Sequence, residues 1–220
     1  MTETVLQTLF VLDLVVFLAT IFMHLLHRNV SLIRLFMFQS LAVGVLLSVI
    51  GLAGGEPELL AIAAVTIAVK AVIAPLFFFN MMRRFKLERT ANNYLSKPFT
   101  LIAVAGIVIF SYSGFASAFA PLSPETAPLL SLNWAAIFIS IFLMYNRRGA
   151  FGQIVGILSL ENSIVAMATL LGIAQPLSLE LGIVFDLVVW IVVANLFIAM
   201  LYRQFGTLNV TEMRKLVEEE

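Results

Sequence analysis

Residues 59–82 read LLAIAAVTIAVKAVIAPLFFFNMM, a run of 24 residues in which Lys70 is the one charged side chain. A helix of about 20 apolar residues is long enough to cross the hydrocarbon core of a bilayer. A membrane β-barrel would instead show segments of about 10 residues with alternating polarity. The run therefore predicts a transmembrane helix that carries a Lys inside the membrane.

Six further apolar stretches lie on either side of this run. Together they predict an all-α polytopic membrane protein with about seven transmembrane helices. The composition agrees, because 61% hydrophobic and 12% charged residues lie outside the range of soluble domains. The predicted spans are 5–26, 31–52, 59–82, 98–120, 129–145, 150–172 and 177–202.

The charges of the chain balance, with 13 Lys and Arg against 13 Asp and Glu, so no net field would attract nucleic acid. The absence of Cys excludes disulfides, cysteine zinc sites, iron–sulfur clusters and covalently attached haem. His24 and His27 have no third donor nearby in the sequence, and we interpret them as polar residues of the membrane interface. We expect no catalytic centre, cofactor or metal in this chain, and any redox chemistry should belong to a partner.

All basic residues except Lys70 fall on one side of the predicted membrane. The opposite side carries five Glu and no Lys or Arg. By the positive-inside rule, the N-terminus faces outward and the C-terminus faces the cytoplasm. The first apolar run follows no basic stretch, which predicts a retained helix and not a removed signal peptide. The basic residues are Arg28, Arg34, Arg83, Arg84, Lys86, Arg89, Lys97, Arg147, Arg148, Arg203, Arg214 and Lys215.

The first three and the last three predicted helices resemble each other in sequence. A shift of 119 residues superimposes Pro57 on Pro176 and Arg28 on Arg147, so predicted helices one to three match helices five to seven as a parallel repeat. The other explanation is that any two three-helix segments share such lengths and basic ends. The predicted units are 1–97 with three helices and a basic cytoplasmic loop, 98–128 with a connector helix and outer loop, 129–205 with three helices, and a cytoplasmic tail at 206–220.

Four charged residues lie near the middle of the predicted spans, at roughly 12–17 Å from the outer edge as counted along the helices. They are Asp13, Lys70, Glu161 and Asp186. A charge at this depth costs about 2.5–3.5 kcal/mol on insertion scales, so it needs a partner, water or a function. The arrangement predicts either a lateral proton relay or static buried ion pairs that fix helix register. Glu180, in the first turn of predicted helix seven, is favoured there by the helix dipole even without a function.

Pro75 follows Lys70 by five residues in the middle of predicted helix three. Proline has no N–H to donate, and it kinks or locally unwinds a helix. A broken helix next to a buried Lys is a common device in transporters.

Short motifs along most of the chain resemble hydrogenase-4 component E. They are FQSL at 38–41, KAVIAPL at 70–76, GILSLEN at 156–162, LELG at 179–182, FD at 185–186 and FGTLNV at 205–210. The chain departs from this family at Ser163, where a Gly usually follows the Glu-Asn pair.

The resemblance implies a membrane-arm subunit of a hydrogenase-4 or formate hydrogenlyase type complex, related to complex I, in the cytoplasmic (inner) membrane of a prokaryote. Its partners would be antiporter-like and other membrane-arm subunits and a peripheral nickel hydrogenase or related redox arm. Residues 129–205 also resemble the K subunit of complex I and the C subunit of multisubunit cation/proton antiporters. Glu161 matches the first membrane-embedded Glu of the K subunit, and Asp186 approximately replaces the second. Lys70 belongs to the component E motif, Glu180 gains weaker support, and Asp13 gains none.

Several functions are compatible with these features. The chain could relay or translocate protons or cations within an oxidoreductase complex, or it could be a scaffold with static ion pairs that joins antiporter-like subunits. It could also belong to a multisubunit cation/proton antiporter. A stand-alone secondary transporter is disfavoured, because the sequence shows no pair of half-helices with a substrate-sized polar site.

Overall fold

The computed structural model describes residues 3–85, 93–119, 121, 126–173 and the separate positions 182, 185, 189, 192, 196, 199, 200, 203 and 204. In this part of the chain the backbone is helical apart from short connections and one isolated antiparallel bridge between Asn93 and Arg147. The helices are α1 (Glu3–Leu25), α2 (Asn29–Gly54), α3 (Pro57–Thr66), a π-helical segment (Ile67–Ile73), α4 (Ala74–Phe85), α5 (Lys97–Phe119), α6 (Ala127–Asn146) and α7 (Ala150–Leu170).

Six helices in the described part of the chain are long and apolar enough to cross a membrane, with α3, the π segment and α4 forming one continuous span. The predicted all-α polytopic fold is confirmed, and the predicted ends of these six helices differ from the observed ends by at most three residues. The largest difference is at α4, which continues to Phe85. The predicted seventh helix, 177–202, falls mostly outside the described residues, and the positions described within it are helical.

Local backbone chemistry explains the reversal between α2 and α3. Gly55 adopts the left-handed conformation with φ of 68°, in which its N–H reaches the carbonyl of Gly51 and ends α2. Pro57 begins α3 in the first turn, where its missing N–H leaves no helical hydrogen bond unmade. The short connection makes α2 and α3 antiparallel neighbours.

Two antiparallel helix hairpins, α1–α2 and α6–α7, form the centre of the molecule. Each reverses direction within three residues, 26–28 and 147–149. Extensive contacts join α1 to α6 and α2 to α7, whereas α1 meets α7 only marginally. The hairpins therefore lie side by side, with corresponding helices in contact. The long third span packs against α2, and α5 packs against α6.

Apolar layers occupy both ends of this helix assembly. We call the end of the assembly that carries Arg28, Arg83 and Arg147 the basic end. Near it, Phe36 of α2, Phe78 of α4 and Phe151 of α7 are buried against one another. Towards the other end, Val43 and Val165 are buried in a second cluster. Between these layers lies a belt of buried polar side chains, which holds the candidate site.

Candidate functional site

Lys70 and Glu161 form an ion pair inside the helix assembly, with 2.9 Å between Lys70 Nζ and Glu161 Oε1. Lys70 is fully buried, while 24% of the Glu161 side chain is exposed. Glu161 lies 11 residues from the start of α7, or about 16 Å along the helix axis. The sequence left open which carboxylate faces Lys70, and the structure assigns that place to Glu161.

The π-helical segment presents Lys70 to this carboxylate. In this segment the N–H of Ala74 bonds the carbonyl of Val69, five residues earlier, instead of the carbonyl four residues earlier. Pro75 follows directly and has no N–H to offer Ala71 in α geometry or Lys70 in π geometry. The wider π turn rotates the side chains relative to an α-helix, and such turns are frequent at functional sites. The distortion predicted from Pro75 thus lies in the turns that carry Lys70.

Asn162 fixes the rotation of α7 next to Glu161. Its Nδ2 donates to Ser40 Oγ at 2.8 Å and to Gln39 Oε1 at 3.5 Å, and all three residues are buried. Successive residues of a helix point about 100° apart. With Asn162 held against α2, Glu161 is directed away from α2 towards the π segment, which packs against α2 from the side.

A second set of hydrogen bonds extends this belt across four helices. Gln39 Nε2 donates to Thr20 Oγ1 of α1 and to Ser159 Oγ of α7, both at 2.9 Å. The hydroxyls of Ser140 on α6 and Ser159 share a hydrogen bond of 3.0 Å. Buried polar groups of this kind must be paired to avoid a desolvation cost of about 1–3 kcal/mol each. The belt therefore locks the register of both hairpins at the depth of the ion pair.

Corresponding positions of the two hairpins carry these hydrogen bonds. Thr20 and Gln39 are 19 residues apart, as are Ser140 and Ser159, and each residue of the first pair precedes its counterpart by 120 positions. In the polar belt, corresponding residues of the two hairpins are thus 120 positions apart in the sequence. This is one residue more than the shift of 119 that superimposes the turns.

Asp13 lies at a different interface from the ion pair. It is buried on α1, and Asn133 Nδ2 of α6 donates to its Oδ1. Asp13 and Asn133 are again 120 residues apart. The structure therefore places this carboxylate between the two hairpins with an amide partner. The remaining predicted site residues, Glu180 and Asp186, lie outside the described residues.

The basic end of the assembly is held together by Arg147. Its guanidinium is buried and donates to the carbonyls of Leu26 (3.0 Å) and Met23 at the C-terminus of α1. Burial lowers the pKa of Arg147 to about 10, so the side chain stays charged at neutral pH and complements the helix dipole. Arg147 thus ties the α6–α7 turn to α1.

His24 lies in the last turn of α1 and is buried in the α1–α6 contact. Its Nε2 donates to the carbonyl of Ile139 at 3.0 Å, and its ring stacks on Phe142 with centroids 4.9 Å apart. Burial is tolerated because the ring has both a hydrogen-bond acceptor and an aromatic neighbour. His27 is exposed. Within the described ranges, no three His, Cys, Asp or Glu side chains converge on a point where a metal could bind.

The sequence prediction missed the amides and hydroxyls that support the ion pair. Gln39, Asn162 and Asn133 are uncharged polar residues within largely apolar helices, and a charge-based search passes over them. They could have been recognised by their depth in the membrane, because each lies about 15–20 Å from the basic end of its helix, counted at 1.5 Å per residue.

Comparison with known proteins identifies a distant relative. The chain is 26% identical over 194 residues to the uncharacterized protein Rv0085 of Mycobacterium tuberculosis (strain ATCC 25618 / H37Rv), covering 84% of this chain and 85% of that protein. No family model and no solved structure matches the chain. The similarity extends over most of both chains and carries no statement about an activity.

Proposed function

We propose that this chain is a membrane-arm subunit of a hydrogenase-4 or formate hydrogenlyase type complex, in which Lys70 and Glu161 take part in proton movement. The observation that carries the proposal is the ion pair between a fully buried Lys on a π-helical segment and a partly exposed Glu at similar depth. The motifs around both residues that resemble hydrogenase-4 component E support the same class of complex.

The two partners have different roles in this mechanism. A proton that arrives at the Glu161 carboxylate neutralises it and removes the attraction that holds the Lys70 ammonium. Lys70 is then free to shift with the π-helical turns, where the backbone hydrogen-bond pattern already departs from that of an α-helix. When Glu161 passes its proton on, the ion pair forms again. The exposed part of Glu161 is the point where a neighbouring subunit could deliver or accept that proton.

The proposal includes an orientation in the cytoplasmic membrane of a prokaryote, with the N-terminus outside. It rests on the positions of the basic residues, among which Arg28 and Arg148 lie at the same end of the two hairpins. The neighbouring proteins would be antiporter-like membrane subunits, and the electrons would be handled by a peripheral nickel protein.

A scaffold function is the second candidate, and the polar belt favours it. Hydrogen bonds from Gln39 and Asn162 join α1, α2 and α7 and hold Glu161 in one orientation. A static ion pair within a rigid belt would fix the shape of a subunit that connects its neighbours, without any titration during turnover.

Affinity purification of the tagged chain from its native membranes in mild detergent tests the assignment to a complex. We expect antiporter-like membrane subunits and a nickel-containing protein to co-purify in fixed proportions. Antiporter subunits without a nickel protein would instead indicate a cation/proton antiporter. A chain that purifies alone and transports ions by itself would contradict the proposal.

A further inference from the structure

We propose that an anionic phospholipid of the leaflet at the basic end binds in the cavity between α2 and α4, with its phosphate between Arg34 and Arg83. This cavity has a volume of about 420 Å³. It lies apart from the ion pair and does not depend on the proposed proton movement. The residues that line it are Val30, Arg34, Met37, Phe38, Phe79, Met82 and Arg83.

Two matching stripes of side chains form the walls. Val30, Arg34 and Phe38 follow each other at intervals of four residues on α2, and Phe79 and Arg83 do so on α4. Residues four apart share one face of a helix. Because the helices are antiparallel, both stripes place Arg towards the basic end and Phe deeper in the membrane.

The depths of these groups correspond to the regions of a lipid molecule. Arg83 and Arg34 lie about 3 and 7 Å from the basic ends of their helices, whereas Phe79 and Phe38 lie about 9 and 13 Å from them. The two guanidinium groups are therefore near the headgroup region, and the two aromatic rings are within the hydrocarbon. Phe38 is 56% exposed, so an acyl chain can cover it.

The charges of the cavity are uncompensated within the described part of the protein. Arg34 and Arg83 are both exposed, and neither forms an ion pair or hydrogen bond with another described residue. A guanidinium binds phosphate oxygens through two parallel hydrogen bonds, which suits it to this ligand better than an ammonium. Basic pockets between transmembrane helices at the cytoplasmic side bind anionic headgroups in membrane proteins generally.

A phospholipid fits these features better than a soluble anion or a second copy of the chain. A soluble phosphate would use only the two Arg and leave the aromatic half of the cavity open to hydrocarbon. A second copy would bring its own basic end to the same depth and place Arg next to Arg. A lipid supplies the phosphate and the apolar chain in the order in which the cavity presents them.

Native mass spectrometry of the wild-type protein, exposed to equal amounts of phosphatidylglycerol and phosphatidylcholine with identical acyl chains, tests the preference. We expect phosphatidylglycerol to be retained roughly tenfold more, because both lipids carry the phosphate but the quaternary ammonium of phosphatidylcholine offsets its charge next to the two guanidinium groups. Equal retention of the two lipids would overturn the proposal. Equal thermal stabilisation by inorganic phosphate alone would overturn the assignment to a lipid.

The variant Arg34→Gln/Arg83→Gln tests the position of the site. It should lose the preference for phosphatidylglycerol, while the matched control Arg28→Gln/Arg203→Gln, which removes the same charge from exposed positions outside the cavity, should keep it. Loss in both variants would show attraction to the basic end as a whole and would contradict a discrete site. A wild-type dimer that dissociates in the cavity variant would show that a second copy occupies the cavity. If the cavity variant does not fold, the wild-type comparison of the two lipids still decides the preference.

Discussion

Lys70 and Glu161 depend on their ion pair to different degrees. Lys70 is enclosed by other residues, whereas a quarter of the Glu161 side chain is exposed on the surface of the helix assembly. At this depth the exposed part of Glu161 faces lipid or a neighbouring subunit and not water, but it is open to a proton donor, whereas the Lys70 ammonium is enclosed by this chain. The pair is therefore asymmetric, and the two single variants should not behave alike.

Glu161→Gln should destabilise the protein more than Lys70→Met. The first change leaves a fully buried ammonium without its carboxylate, and loss of one partner of a buried pair typically costs about 3–5 kcal/mol. The second change leaves a carboxylate that can take up a proton at the surface of the helix assembly and so lose its charge, and its cost should be smaller. Thermal unfolding in detergent, followed by size-exclusion chromatography, measures the order, with Glu58→Gln at an exposed helix start as control. Equal losses of stability, or a larger loss for Lys70→Met, would show that the exposure of Glu161 does not lower the cost of losing Lys70.

The double variant Lys70→Met/Glu161→Gln separates a relay from a static pair. Removing both charges relieves the desolvation cost, so the amount of assembled complex on native gels should return close to the wild-type level. If the pair moves protons, vesicle acidification by the same preparation should stay impaired. Recovery of both assembly and acidification would mean that the pair is a structural element only.

At the level of helices, the sequence predicted the third span and its distortion near Pro75, because both follow from local chemistry. Hydropathy sets the length of a span, and the missing N–H of proline disrupts the hydrogen bonds of the preceding turn. The sequence did not predict that the distortion takes π geometry at Ile67–Ile73, since the missing N–H of Pro75 does not distinguish a π turn from a kink. The hydrogen bonds of Gln39 and Asn162 escaped prediction for a different reason: apolar runs carry no information about which helices become neighbours.

Gly156 lies at a close contact between α6 and α7 in their hairpin. A Cβ at this position would lie 2.8 Å from Met144 Cγ and 3.0 Å from the backbone N of Met144, so Gly156→Ala would force the helices apart. Overpacking of this kind costs about 1–3 kcal/mol. A thermal shift assay should show this loss of stability. The substitution should also displace the nearby Ser159 from Ser140 and Gln39.

Gly106→Ala on α5 is the matched control for that variant. A Cβ at Gly106 would meet no atom within 4 Å, so the change should be neutral or should stabilise the helix by up to about 1 kcal/mol. If the two Ala variants behave alike, the α6–α7 contact is less tight than the structure indicates.

For the whole molecule, the sequence predicted the helical class and the limits of the six described spans better than their arrangement. Lengths and turns follow from the composition of each segment, whereas the side-by-side pairing of α1 with α6 and α2 with α7 depends on contacts between segments about 120 residues apart. The internal shift of 119 pointed to two similar units, although it did not show that their polar residues would face each other.

The distribution of charge predicts an outward N-terminus and a cytoplasmic C-terminus. A C-terminal fluorescent protein fusion should therefore fluoresce, and a C-terminal alkaline phosphatase fusion should be inactive, since these reporters work on opposite sides of the membrane. The reverse result would place the twelve basic residues outside and would contradict the positive-inside assignment.

The most direct test of proton movement is the number of protons taken up per electron in native membrane vesicles that contain the Glu161→Gln complex. This ratio does not depend on how much complex assembles, so reduced stability of the variant does not affect it. A relay through Glu161 predicts that the ratio falls clearly below the wild-type value, while the Glu58→Gln control keeps that value. A wild-type ratio in the Glu161→Gln complex would contradict the relay and leave Lys70 and Glu161 as a static pair.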